Sequence, residues 1–297
     1  KYQGDSVKNV TTRRFGTALI AASALLLTAC GSSSETAASA APTPAETSAS
    51  ACAPESLQTL TSGKLAIGTG EPAYFPWVID DAPESGEGFE AAVAYAVAAQ
   101  LGFASEDVSW VRTTFDGAIT PGAKDFDFNL QQFSITEERK AAVDFSSPYY
   151  SAPQAIVSYA GSPIEGLTTI EELKGAKLGA GVGTTSLDAI STVFGSEPQA
   201  FNDNAAAVAA LKNGQIDGIV VDLPTAFYLS GVEVEGGIIV GQIPSTGDSG
   251  DFGLLLSKGS PITSCVSQAV DAIRASGELD EITAKWLSTD AGAPVLQ

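Results

Sequence analysis

"AVAALKNGQIDGIVVDLPTAFYL", residues 207–229, reads as a helix, a turn and a strand in direct succession. The same kinds of segment run upstream of it. "KLAIGTG" (64–70) is a short apolar strand that ends in glycines, and "GFEAAVAYAVAAQLG" (88–102) places Phe89, Val93, Ala96, Val97 and Leu101 at helical spacing before stopping at Gly102. "DVSWVRTTF" (107–115) is a second strand, and "PGAKDFDFNLQQFSI" (121–135) contains a third that runs into polar residues. Strands that alternate with helices predict an α/β fold, with ligands met at the carboxyl ends of the strands. No internal repeat is evident.

The composition bounds the rest. With 297 residues, 44% hydrophobic and 17% charged, the chain can bury one large or two modest cores. Its formal net charge of -20 makes nucleic acid and anionic lipid surfaces poor partners by long-range electrostatics. Histidine is absent, which removes the usual proton shuttle and the commonest metal ligand, so neither a metal nor a cofactor is expected. The same absence predicts a binding affinity that is nearly flat between about pH 5 and 8. Met is absent as well, including at position 1, so the chain is expected to begin inside its translated form.

The N-terminus speaks to location. Lys1, Lys8, Arg13 and Arg14 precede the apolar run "GTALIAASALLLTA", and Cys30 closes "LLLTAC". This is the layout of a signal peptide over residues 1–29, and the run is shorter than the ~20 residues of a spanning helix. Leu27, Thr28, Ala29 and Cys30 resemble the bacterial lipobox, in which the cysteine is lipidated. The segment that follows, "GSSSETAASAAPTPAETSASACAP" (31–54), has almost nothing to bury, and a solvated tether is expected through residue 56. The protein is thus expected outside the cytoplasm, held to the outer face of the membrane by lipid alone. Once Cys30 is lipidated, Cys52 and Cys265 remain as an even pair in an oxidising compartment, and a disulfide at the start of the last helix is expected; two unrelated thiols are the alternative.

Two further stretches carry chemistry. In "KLGAGVGTTSLDAI" (177–190) a strand ends, glycines turn the chain, and Thr184 or Thr185 opens a helix whose free backbone N–H groups favour an anion. A tight turn with a helix cap explains the same residues, and a P-loop is disfavoured because no Lys follows the last glycine. In "DFDFNLQQFSITEERKAAVDFSSPYY" (125–150), Gln131, Gln132 and Ser134 give a strand a polar end, and Arg139 follows. Only Arg112, Arg139 and Arg274 occur after the signal segment. Arg139 reads either as a solvated helix residue pairing with Glu137 or Glu138, or as the cation of a small-ligand site.

Taken together, "GTGEPAYFPW" (68–77), "GFEAAVAYAVAAQLG" (88–102), "SITEERKAAVDFSSPYY" (134–150), "GVGTTSLDAI" (181–190), "ALKNGQIDGIVVD" (210–222) and "AIRASGELDEITAKWL" (272–287) resemble the family 3 extracytoplasmic solute-binding proteins, the polar amino acid receptors of ABC importers. The resemblance covers about residues 57–290 and implies a two-lobed periplasmic-binding-protein-like fold (type II), two α/β lobes joined by two hinge strands. It places lobe 1 at residues 57–152 with 251–297, lobe 2 at 153–250, and the hinges near "SAPQAIV" (151–157) and "PSTGDSGDFG" (244–253).

By position in that family, Arg139 would grip the ligand α-carboxylate in a paired hydrogen bond, helped by Ser134 and by Thr184, Thr185 and Ser186 at the helix start. Asp222 and the carbonyl of Gln132 would receive the α-amino group, although an N-cap before Pro224 is the bland alternative for Asp222. Tyr74 and Phe115 would sandwich the side chain, with Phe133 beside them, while Trp77, Tyr149 and Tyr150 would pack in lobe 1 and near the hinge. Gln131 and Gln132 stand where small residues are usual. The implied partners are an amino acid and an ABC permease with its ATPase, the implied state a monomer, and the implied activity binding without catalysis. A sensory amino-acid-binding domain and a cyclohexadienyl dehydratase-like enzyme are the alternatives; the missing histidine and the lack of evident paired carboxylates count against the enzyme.

Overall fold

The structure is a computed structural model that describes residues 52–244, 250–287 and 293–297. The expected signal peptide, Cys30, most of the tether and the middle of the second hinge segment lie outside the described residues. Two five-stranded sheets make two α/β lobes. The first sheet contains β1 (Leu65–Gly70), β2 (Val108–Thr113), β3 (Phe128–Asn129) and β4 (Val143–Ser151). The second contains β5 (Gln154–Tyr159), β6 (Leu178–Gly181), β7 (Gln199–Phe201), β8 (Gly218–Asp222) and β9 (Gly237–Gln242). The last strand, β10 (Asp251–Ser257), returns to the first sheet, giving the orders β2-β1-β3-β10-β4 and β7-β6-β8-β5-β9.

In each lobe three neighbouring strands run parallel, β10 or β5 runs antiparallel beside them, and the edge strand β4 or β9 pairs antiparallel with that one; the carboxyl ends of β1, β2, β6 and β8 meet in the space between the lobes. The chain passes from β4 to β5 through only Ala152 and Pro153. It comes back between β9 and β10.

Helices cover the sheets: α1 (Phe89–Gln100), α2 (Phe115–Ile119), α3 (Glu137–Ala142), α4 (Ile170–Leu173), α5 (Thr185–Phe194), α6 (Asn204–Lys212), α7 (Leu223–Tyr228), α8 (Thr263–Ala275) and α9 (Glu278–Trp286). Helix α1 is alanine-rich and buried almost all round, because the first sheet lies on one side and α8 and α9 on the other. Gly88 makes its start possible: φ is +106°, and a Cβ there would lie 2.5 Å from the carbonyl oxygen of Trp77. The first N–H groups of α1 are consequently satisfied by the carbonyls of Pro76 and Trp77.

In the second lobe the two-residue period of the strands sorts the core. Ala155, Val157, Ile219 and Val221 face α6, while Ile156, Val220 and Leu178 face α5. Strand β8 is apolar without alternation because both of its faces are covered.

Four expectations are corrected. The tether does not extend to residue 56 as loose chain: from Cys52 onward it folds onto the first lobe, anchored by the Cys52–Cys265 disulfide and the buried Leu57. Cys265 opens the penultimate helix rather than the last, since Gly277, at φ +85°, separates α8 from α9. Residues 293–297 do not join lobe 1: Val295 pairs with Gln242, Leu296 is buried in the second lobe, and Gln297 exchanges backbone hydrogen bonds with Thr168 and Ile170. The strand expected through residue 135 is regular only over β3: Gln132, at φ +52°, interrupts it, and the chain rejoins β10 through the Ser134–Phe252 bridge.

Two measurements follow from the disulfide. A protease digest of the unreduced domain should yield the Cys52 and Cys265 peptides joined, and the Cys265→Ser variant should lose about 2 to 5 kcal/mol of stability because the bond closes a loop of 213 residues. Alkylation of both thiols without reduction would overturn the pairing.

Candidate ligand-binding site

The cleft between the lobes encloses a cavity of about 130 Å³. Its walls are strand ends and helix starts: the segment after β1, the end of β2, the turn after β3 and helix α3 from the first lobe, then the start of α5 and the end of β8 from the second. Tyr74, Phe115, Gln132, Ser134, Arg139, Thr184, Thr185, Ser186 and Asp222 all line it. Phe133 does not. It is fully buried beneath the cleft floor, packed on the Phe115 ring at 4.9 Å, because its neighbours in the turn take the cleft side and leave it facing the core.

Arg139 sits in α3, which is started by Thr136 accepting a hydrogen bond from the Arg139 backbone N–H. Its side chain is 9% exposed and pairs with neither Glu137 nor Glu138; Glu137 takes Lys140 instead. The guanidinium donates to the Ser134 carbonyl at 2.8 Å and, across the cleft, to the Gly183 carbonyl at 3.0 Å. Phe115 lies against it, 5.3 Å from ring centroid to guanidinium carbon. Burial pulls its pKa below the ordinary arginine value, while the fields of Asp188, Asp222 and Glu138 hold the charge.

Asp222 ends β8 at the N-cap position of α7, yet its side chain makes no capping hydrogen bond. The carboxyl is thereby left to the cleft. Burial pushes its pKa up to about 7, against the pull of Arg139 and with a further push from Glu90.

Opposite Arg139, Thr184 caps α5 by accepting from the Leu187 N–H. Thr185 Oγ1 meets Ser134 Oγ at 3.2 Å and accepts from Gln154 Nε2 at 3.0 Å; the same amide donates to Ser186 Oγ at 3.1 Å.

Further contacts cross the cleft. Trp77, buried in the first core, donates its indole N–H to Thr225 Oγ1 at 2.8 Å. The Tyr74 hydroxyl accepts from the Ala205 N–H, and its pKa is raised by burial and by Asp203. Phe75 stacks on Tyr228 with centroids 5.0 Å apart.

The sequence reading missed three of these residues: Glu90, Gln154 and Thr225. Glu90 is 1% exposed, lines the cleft, and has its pKa pushed up to about 7 by burial. Its signal was available, a lone charge in the first turn of an otherwise apolar helix. Gln154 stands next to the apolar run that begins β5, a weaker cue, and Thr225 gives none.

The structure thus brings two carboxyls, Glu90 and Asp222, into one cleft, each pushed up to a pKa of about 7 chiefly by burial, which runs against the expectation of an affinity nearly flat between about pH 5 and 8. Among the described residues no cluster of His, Cys, Asp and Glu could hold a metal ion, and no helix is long and apolar enough to cross a membrane.

The chain is 29% identical over 236 residues to a probable histidine-binding protein of Campylobacter jejuni, covering 78% of this chain and 87% of that protein. It is 30% identical over 246 residues to the L-arginine-binding protein of Pseudomonas aeruginosa, covering 79% and 92%. An ancestral arginine-binding protein solved with glutamine bound, and separately with arginine bound, superposes with a TM-score of 0.64 at 32% identity, covering 76% of this chain and, in the glutamine complex, 99% of that one. The pattern of the bacterial extracellular solute-binding proteins, family 3, matches residues 65–289, and the chain belongs to that family.

Proposed function

We propose that the protein is an extracytoplasmic receptor that closes its two lobes around one free amino acid and delivers it to an ABC permease and its ATPase. The observation that carries this reading is the opposition of a scarce buried guanidinium, Arg139 of the first lobe, to a carboxyl freed from capping duty, Asp222 of the second. A zwitterion answers both. Its carboxylate takes the guanidinium together with the α5 N-terminus, and its ammonium takes Asp222, with the Gln132 carbonyl beside it. Tyr74 and Phe115 supply the apolar walls for the side chain. Cys30 carries the lipid that holds the receptor to the outer face of the membrane, and it works there as a monomer.

Four carboxyls line the cleft, Glu71, Glu90, Asp203 and Asp222, against one guanidinium. Asp203 is engaged in capping α6. This balance favours amino acids with cationic or neutral side chains over acidic ones, in keeping with the histidine- and arginine-binding relatives. A panel of free amino acids should show it: ligand at 100 times its dissociation constant adds about 2.7 kcal/mol of stability and raises the melting temperature. If none does, the receptor reading fails; a response to glutamate alone would overturn the side-chain class. Two carboxyls with raised pKa values in one cleft make the enzyme alternative worth one arm of the same experiment, incubation with cyclohexadienyl acids, in which no product is expected.

Truncating either end of the ligand grip leaves a buried charge unpaired, which costs about 2 to 5 kcal/mol. Arg139→Ala should therefore weaken binding by roughly 30-fold to several thousandfold, and Arg139→Lys should also lose because an ammonium cannot form the paired fork. Asp222→Asn should suffer much less with an analogue lacking the amino group, and Arg139→Ala much less with a ligand amide. Equal losses across ligands in calorimetry would show the site to be elsewhere.

The pH profile follows from Asp222. Its pKa without ligand is raised to about 7 and an ammonium favours the ionised form, so binding expels a proton below pH 7. Affinity should rise by up to about tenfold per pH unit below 7 and level off above it. A flat profile in calorimetry at pH 5.5, 6.5 and 8 would contradict the role given to Asp222.

A further inference from the structure

Gln132 holds a conformation that residues with a Cβ adopt reluctantly, φ +52°, in the turn that carries Gln131, Ser134 and the start of α3 along the cleft. Something must over-determine it. Glu90 does so with both of its oxygens: Oε1 accepts the Gln132 backbone N–H at 2.7 Å and Oε2 accepts the Gln132 side-chain amide at 2.5 Å. The Tyr149 hydroxyl of β4 donates to the same Oε1. Glu90 is itself held by its backbone N–H on the Trp77 carbonyl, at the helix start that Gly88 permits.

We propose that Glu90 is a positioning residue of the binding site: its carboxylate clamps Gln132 in the left-handed turn and so sets the groups that this turn presents to the amino acid. The proposal rests on the receptor reading for its ligand but not for its geometry. Three donors already fill the carboxylate, which is 1% exposed, so Glu90 acts on the ligand through Gln132 rather than by touching it.

The clamp is proton-sensitive by construction. Ionised, the carboxylate accepts all three hydrogen bonds; protonated, it must donate one, either to the Tyr149 hydroxyl, which then turns from donor to acceptor, or to the Gln132 amide after that amide reverses. Burial raises the Glu90 pKa to about 7, and the hydrogen bonds from Tyr149 and Gln132 oppose the rise. The charged and titratable groups facing it are few. Tyr149, pushed well above its usual range, remains a donor, and Asp222 from the end of β8 repels it, with Arg139 in α3 offsetting that charge.

The test uses Glu90→Gln, a mimic of the protonated acid, in two backgrounds. Glycine adopts a positive φ freely, so Gln132→Gly makes the clamp dispensable. Glu90→Gln should weaken amino acid binding at pH 8 at least tenfold in the native background and less than threefold beside Gln132→Gly; equal losses in both would overturn the proposal. Independently of any ligand, the backbone amide proton of Gln132 in the native protein should lie downfield at pH 8 and move upfield with a midpoint near pH 7. A Gln132 amide signal that is not downfield at pH 8, where the carboxylate is ionised, would refute the clamp. If no amino acid binds the native protein, the receptor reading fails while the Gln132 amide shift at pH 8 still decides this proposal.

Discussion

A guanidinium that is 9% exposed must be met by oxygen or it will not stay where it is. Arg139 imposes that condition on everything around it. The Ser134 carbonyl meets it from the same lobe and the Gly183 carbonyl from the other, so the one cation that lines the cleft among the described residues also ties the two lobes at the point where strand ends face one another. Phe115 shields its face, and behind Phe115 the buried Phe133 closes the floor. A fork-shaped cation with five donors can be held by two carbonyls and still turn a parallel pair of N–H groups toward a carboxylate, where a lysine's ammonium would have one left.

The topology explains why such a group can stand in a cleft at all. Each lobe points the ends of its parallel strands at the other, and the chain crosses between sheets in short segments. Turns and helix starts, rich in unpaired N–H and C=O groups, are gathered in one place. Trp77 shows how core and cleft are linked: its ring belongs to the first hydrophobic core, while its indole N–H reaches Thr225 of the second lobe. Packing in one lobe is thus connected directly to contact with the other.

Acidity is the second organising feature. Glu90 and Asp222 each lose hydration in the folded protein, and the charge of Glu90 further raises the cost of ionising Asp222. A cation entering the cleft relieves both. This gives a chain without histidine two groups that exchange protons near neutral pH, a property that comes from burial rather than from residue type.

Read alone, the sequence determined the fold class, because alternating strand and helix segments with glycine stops admit little besides an α/β arrangement. It also marked Arg139, a rare cation after a polar run, whereas Asp222, an acid at the end of an apolar strand, read equally as a helix cap until the resemblance to the family gave it a role. Other features were not legible there. That Phe133 turns inward, that β3 stops after two residues and that Gln132 takes a left-handed conformation against a carboxylate forty-two positions away cannot be read along the chain. The return of residues 293–297 to the second lobe depends on pairing with β9. The neutral-range pKa values of Glu90 and Asp222 required knowing what surrounds each carboxyl. Local pattern encodes propensity and periodicity; desolvation, side-chain direction within a turn and contacts across a cleft are properties of which distant residues meet, and only tertiary structure decides those.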